Sequence, residues 1–161
     1  MISGAAIRAR RLIGAVAGLL VCLGAARADP ADVAGARGVE NQQRAWQHWT
    51  LNCQGCHRPD GSGSEGTAPS LAGTVARFLS VAGGREYLAR VPGVATSPLS
   101  DKDLAEVLNW MLWRFDSAHI PANFEPYTPV ELGTLRSHPL RLEASQWRRD
   151  LLKKAERSPA R

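Results

Sequence analysis

Five consecutive residues, C53-Q-G-C-H57, constrain this 161-residue chain more than any other stretch. Two thiols three apart with an imidazole directly behind them have four chemical readings. They can form a disulfide, half a zinc site, a redox dithiol, or the attachment of a haem through thioether bonds. The choice rests on the compartment, on partner residues elsewhere, and on what the rest of the chain can enclose.

The N-terminus speaks to the compartment. Arg8, Arg10 and Arg11 precede an apolar run of 13 residues, from Leu12 to Gly24, followed by the small-x-small triplet Ala26-Arg27-Ala28. That is the pattern of a secretory signal cleaved after Ala28. The run falls short of the roughly 20 residues that span a bilayer, so retention as an anchor is the weaker alternative. The expectation is export to the periplasm and a mature chain of 133 residues, long enough for one domain with a core. Its charge falls from +5 to +1 once the four leader arginines are gone, which removes any support for nucleic-acid binding. The remaining charge is segregated: residues 29–135 carry a net −4 and residues 136–161 a net +5.

Of the three cysteines, Cys22 lies in the leader, so Cys53 and Cys56 stand alone. A structural zinc site wants four Cys or His ligands, and no second C-x-x-C or H-x-x-x-H follows. A thioredoxin-like dithiol wants a βαβ setting, and no alternating β-branched run surrounds the motif. A plain disulfide fits an oxidising compartment but leaves His57 without a purpose.

The flanking sequence is helical. Residues 40–52 hold neither Pro nor Gly, and Trp46, Trp49 and Cys53 recur at three-to-four spacing. His48 lies off that stripe and reads as a surface residue. Residues 58–69 form a loop rich in Gly and Pro, able to wrap closely around a flat ligand. Short helices are expected near 73–80 and 85–90, with a break at Pro92-Gly93. The clearest helix is 101–115, started by Ser100 with Asp103 three later, and carrying the stripe Leu104, Val107, Leu108, Met111, Leu112, Phe115. With no strand signal of similar quality, the expected fold is all-α, a small helical domain with a C-terminal extension. Covalent haem explains the motif, the export signal and the helical shell together: thiols at i and i+3 reach two porphyrin carbons and the adjacent histidine binds iron.

Residues 40–116 resemble a class I c-type cytochrome of bacterial periplasmic type. The resemblance rests on C53-Q-G-C-H57, the glycine-rich loop behind it, A68-P69-S70-L71-A72-G73 in place of the family's P-x-L-x-G, and L99-S-D-K-D-L-A-E-V-L-N-W110 in place of its last helix. It implies one haem c held by Cys53 and Cys56, with His57 as iron ligand and the Pro69 carbonyl on the other ring nitrogen. It also implies a crossing of the first and last helices at Ala45, Trp49 and Trp110. The departure is on the far side of the iron. The family's loop methionine is replaced, with Val91 standing where it is expected. Met111, a core residue by its position on the stripe, is the tentative sixth ligand. His119 and a five-coordinate iron stay open beside it.

Residues 117–161 fall outside the resemblance. Four prolines (121, 126, 129, 139) make an extended wrap, T128-P-V-E131 starts a short helix near 129–136, and a basic amphipathic helix is expected at 142–155. The organisation expected is thus a signal peptide (1–28), a cytochrome domain (29–116) and a wrap with a basic helix (117–161). The function expected is electron transfer, as a carrier or as a subunit for a dehydrogenase, with an acidic redox partner docking on the basic tail. Membrane association is allowed for but not required. The rival is a gas-binding or sensing cytochrome with an open distal site. Peroxidase chemistry lacks an assignable distal acid–base group, and no independent catalytic constellation is visible.

Overall fold

The structure is a computed structural model that describes Val33 and residues 35–157. The leader expected at residues 1–28 lies outside the described residues. Among the described residues seven α-helices follow one another: α1 Gln42–Asn52, α2 Gln54–His57, α3 Gly84–Arg90, α4 Pro92–Ala95, α5 Asp101–Asp116, α6 Pro129–Arg136 and α7 Ala144–Arg157. A 3-10 helix spans Val75–Ser80 and a second Ser117–His119. Among the described residues there is no strand, only an isolated antiparallel bridge between Ser64 and Ala68. The all-α expectation holds.

Local chemistry explains the helix starts. Asn41 Oδ1 accepts the Arg44 amide at 2.9 Å, Ser100 Oγ the Asp103 amide at 3.1 Å, and Thr128 Oγ1 the Glu131 amide at 3.2 Å. Each satisfies a first-turn donor that the helix itself leaves free. The break expected at Pro92-Gly93 is instead the start of α4. Proline at the first helical position gives up an N–H that would have been unpaired anyway, and the Val91 carbonyl accepts Ala95 N at 2.9 Å.

α1 and α5 form the principal helix crossing. Ala45, Trp49 and Trp110 are all buried there, and Trp49 lies 6.1 Å from Trp110 and 4.8 Å from Phe115 between ring centroids. Glu106 is also buried. It accepts the amides of Glu40 and Asn41 at 2.9 and 2.8 Å and takes both arms of the Arg44 guanidinium at 2.8 and 2.9 Å. A carboxylate so paired seats the positive end of α1 on the flank of α5.

The segment after α5 is built into the same core rather than laid over it. Phe124, Tyr127, Leu132, Leu140 and Leu151 are buried in one cluster with the α1–α5 residues. Asn109, 1% exposed, ties the segment before α1 and the segment after α5 to that helix. Its amide nitrogen donates to the carbonyls of Gly38 (3.1 Å) and Tyr127 (3.0 Å), and its oxygen accepts Tyr127 N at 2.8 Å. Arg85 of α3 pairs with Glu131 and donates to the Glu125 and Pro126 carbonyls, its guanidinium 4.1 Å from the Tyr127 ring centroid. Arg136 reaches back from α6 to the carbonyls of Ala95, Ser97 and Leu99.

Candidate haem site

The CQGCH stretch is one helical turn hung from the end of α1. Cys53 N still donates to Trp49 O at 2.9 Å, and the Cys53 carbonyl accepts Cys56 N (3.2 Å) and His57 N (3.0 Å). Both thiols are therefore on a single turn. They are not joined as a disulfide: Cys53 is half-buried and Cys56 exposed. Burial, aided by the neighbouring Cys56, pushes the Cys53 thiol up to about 11.

His57 is oriented from the loop that follows. Its Nδ1 lies 3.1 Å from the Pro69 carbonyl, an acceptor, so Nδ1 carries the proton and Nε2 keeps its lone pair. Burial lowers the His57 pKa, and the Pro69 bond opposes that only in part. Burial thus favours the neutral imidazole, and the Pro69 bond fixes its tautomer, leaving Nε2 as the nitrogen with a lone pair. The Trp49 ring stands 6.0 Å away between centroids.

The loop can deliver Pro69 because it folds back on itself. Gly63 N donates to His57 O at 3.0 Å, Leu71 N to Gly61 O at 2.8 Å, and Ser64 Oγ to Cys56 O at 2.8 Å. Gly63 has φ +80°, and a Cβ there would lie 2.4 Å from the Ala68 oxygen. Only glycine permits that approach.

The structure thus brings Cys53, Cys56, His57 and Pro69 together. The other iron-ligand candidates are not joined to them by any hydrogen bond or ring contact that the structure shows. Met111 is 7% exposed on the apolar stripe of α5. His119 gives its Nδ1 to Asp116, a buried carboxylate whose other oxygen accepts Ala76 N at 2.8 Å. His48, read as a surface residue, is half-buried with Nε2 3.8 Å from Asp103. Sequence reasoning missed Ser64, which closes the loop on Cys56. It also missed Arg58, at φ 62° directly behind His57. No motif marks either.

The arrangement fits a covalently attached haem on its own chemistry. Two thiols on one turn sit beside an imidazole whose tautomer leaves a single nitrogen for a metal. A cavity of about 340 Å³ flanks the turn, lined by Gln54 and Pro59 with Trp46, Trp49 and Trp110. The Trp49 indole N–H, buried in that wall, has no hydrogen-bond partner.

The chain belongs to the c-type cytochromes, whose cofactor is covalently bound haem c. It is 36% identical over 106 residues to cytochrome c-552 of Thermus thermophilus, a match covering 55% of this chain and 81% of that protein. A second cytochrome c-552, from a named strain of the same organism, is likewise 36% identical over 106 residues, covering 55% of this chain and 72% of that protein. No protein-family model matches the chain.

Proposed function

We propose that this chain carries one haem c, attached by thioether bonds from Cys53 and Cys56 and ligated by His57. In this reading it works in the periplasm as a one-electron carrier, or as the electron-transfer subunit of a dehydrogenase. The observation that carries the reading is the 3.1 Å contact between His57 Nδ1 and the Pro69 carbonyl, set on the same turn as both thiols. Bound haem supplies an iron that alternates between ferrous and ferric. The chain's own part is to hold the imidazole in one tautomer, raise its basicity through the Pro69 bond, and keep water from the core with Trp49, Trp110 and Phe115. Expression with a haem-maturation system followed by a denaturing gel stained for haem tests it. Covalent haem is expected in the wild type, lost in the Cys53→Ala/Cys56→Ala variant. A wild-type chain that matures without covalent haem would sink the proposal.

A second reading, reversible binding of a small gas, has its own support. On the resemblance, Val91 stands where the family's methionine is expected, and Met111 is a core residue. Added carbon monoxide distinguishes the two: a changed ferrous spectrum supports an open position, and an unchanged one supports a closed carrier.

A further inference from the structure

Among the described residues, some cations pair with carboxylates and others do not. Arg44, Arg85 and Arg136 each pair with a carboxylate and hold the fold together. Those of α7 do not. Arg148, Arg149, Lys153, Lys154 and Arg157 make no ion pair among the described residues. Arg148 lies 5.8 Å from the Phe78 ring centroid, Arg149 donates to Gln146, and the nearby Asp150 accepts from Gln146 rather than from a cation. Arg149, Lys153 and Arg157 are exposed and follow at i, i+4 and i+8, so they form one row about 12 Å long. Like charges at this spacing repel, and no ion pair among the described residues offsets that repulsion.

The row leads into a groove. A cleft of about 670 Å³ runs between α7 and the loop after His57, lined by Arg58, Ser64, Glu65, Pro69, Arg148 and Arg149 among others. Its far wall touches the CQGCH turn directly: Ser64 Oγ donates to the Cys56 carbonyl, and the Pro69 carbonyl accepts from His57. We propose that this groove and the cation row of α7 form the docking surface for an acidic face of a redox partner protein, seated over the loop that orients His57. The proposal rests on the reading of the CQGCH turn as the haem attachment.

The occupant follows from shape and charge. The row is longer than a single small anion, so an extended acidic surface is needed to satisfy it. A bilayer is disfavoured because α7 has no free apolar face: Leu151 is fully buried, and Trp147 and Leu152 are packed on the core. Leu142, ahead of α7, is a single exposed apolar residue. Attraction across such a surface acts chiefly on encounter and is screened by salt.

The test uses the full haem-loaded protein, ¹⁵N-labelled and titrated with a hexaglutamate peptide as the acidic probe. Amide shifts are expected within residues 58–70 and 145–157, with affinity falling about tenfold between about 20 and 200 mM salt. The exposed double variant Arg149→Glu/Lys153→Glu should lose about tenfold in affinity while keeping wild-type helicity and haem absorbance. Shifts elsewhere, or equal binding by the variant, overturn the proposal. Sedimentation with phosphatidylglycerol vesicles at about 150 mM salt, without any response to the peptide, overturns it in favour of lipid. A haem stain of the same sample keeps the two readings apart, because peptide binding by a haem-free chain refutes the attachment site and not the surface.

Discussion

Arg58 follows His57 with φ 62° and ψ 162°, the one positive-φ residue other than glycine among those described. That region is close to glycine-only and costs of order 1–3 kcal/mol for any other residue. Arg58→Gly should therefore stabilise the protein by about 1 kcal/mol after the added chain entropy of glycine, a melting-temperature rise of about 3–4 °C. An unchanged or lower value would mean that the arginine side chain contributes more than its backbone costs. Tyr127 makes a second residue-scale case. It is buried with its hydroxyl donating to Arg85 O at 2.8 Å, and burial raises its pKa while the adjacent Arg85 charge only partly offsets this. An acid whose folded pKa is raised loses its proton more readily unfolded, so its stabilising effect is whole below about pH 10 and declines above it. Tyr127→Phe should lose about 1 kcal/mol at neutral pH with the hydrogen bond, yet flatten the decline in urea-unfolding free energy above pH 10. A decline as steep as the wild type's would assign alkaline sensitivity to other groups, Tyr87 first among them.

At the scale of elements, local chemistry was readable from the residues, and tertiary pairing only where the resemblance implied it. Ser100 and Thr128 announced α5 and α6 because a cap is a contact within four residues, and both helices begin where those caps place them. The histidine and the two thiols were readable because their spacing fits one turn, and Pro69 because the family resemblance implies its carbonyl beside His57. Glu106 was not, since it lies off the apolar stripe of α5 and only the fold reveals that α1 covers it. Asn109 left a fainter signal, an amide amid a run of apolar residues, whose partners at Gly38 and Tyr127 are far away in sequence. The loop carrying Pro69 follows the same logic of close approach. Gly63→Ala places a methyl group 2.4 Å from the Ala68 oxygen at φ +80°, so residues 63–69 must move apart. A loss of about 1–3 kcal/mol in stability is expected. A broadened or shifted His57 Nδ1–H resonance should report the loosened Pro69 bond. A sharp, unshifted resonance would show that the loop relaxes elsewhere.

At the scale of the molecule, the resemblance ends near residue 116 but the core does not. Phe124, Tyr127, Leu132, Leu140 and Leu151 each bury nearly their whole side chain against elements that precede them. Removing them uncovers apolar surface worth about 1.5–3 kcal/mol apiece, on the order of 10 kcal/mol in all. A domain of this size is stable by only about 5–15 kcal/mol. The loss also leaves Asn109 with only its Gly38 partner and Arg85 without the Glu125 and Pro126 carbonyls, a further penalty for polar groups. A chain ending after Asp116 should therefore lose its cooperative thermal transition by circular dichroism and gain exposed, red-shifted tryptophan emission from Trp110 and Trp113. Restoring residues 117–140 alone, without α7, should recover most of the transition, because four of the five buried side chains and the Asn109 bonds return. If the chain ending at Asp116 melts cooperatively within a few degrees of the full protein, the extension is an accessory to the fold, and its hydrogen bonds to α5 serve something other than stability.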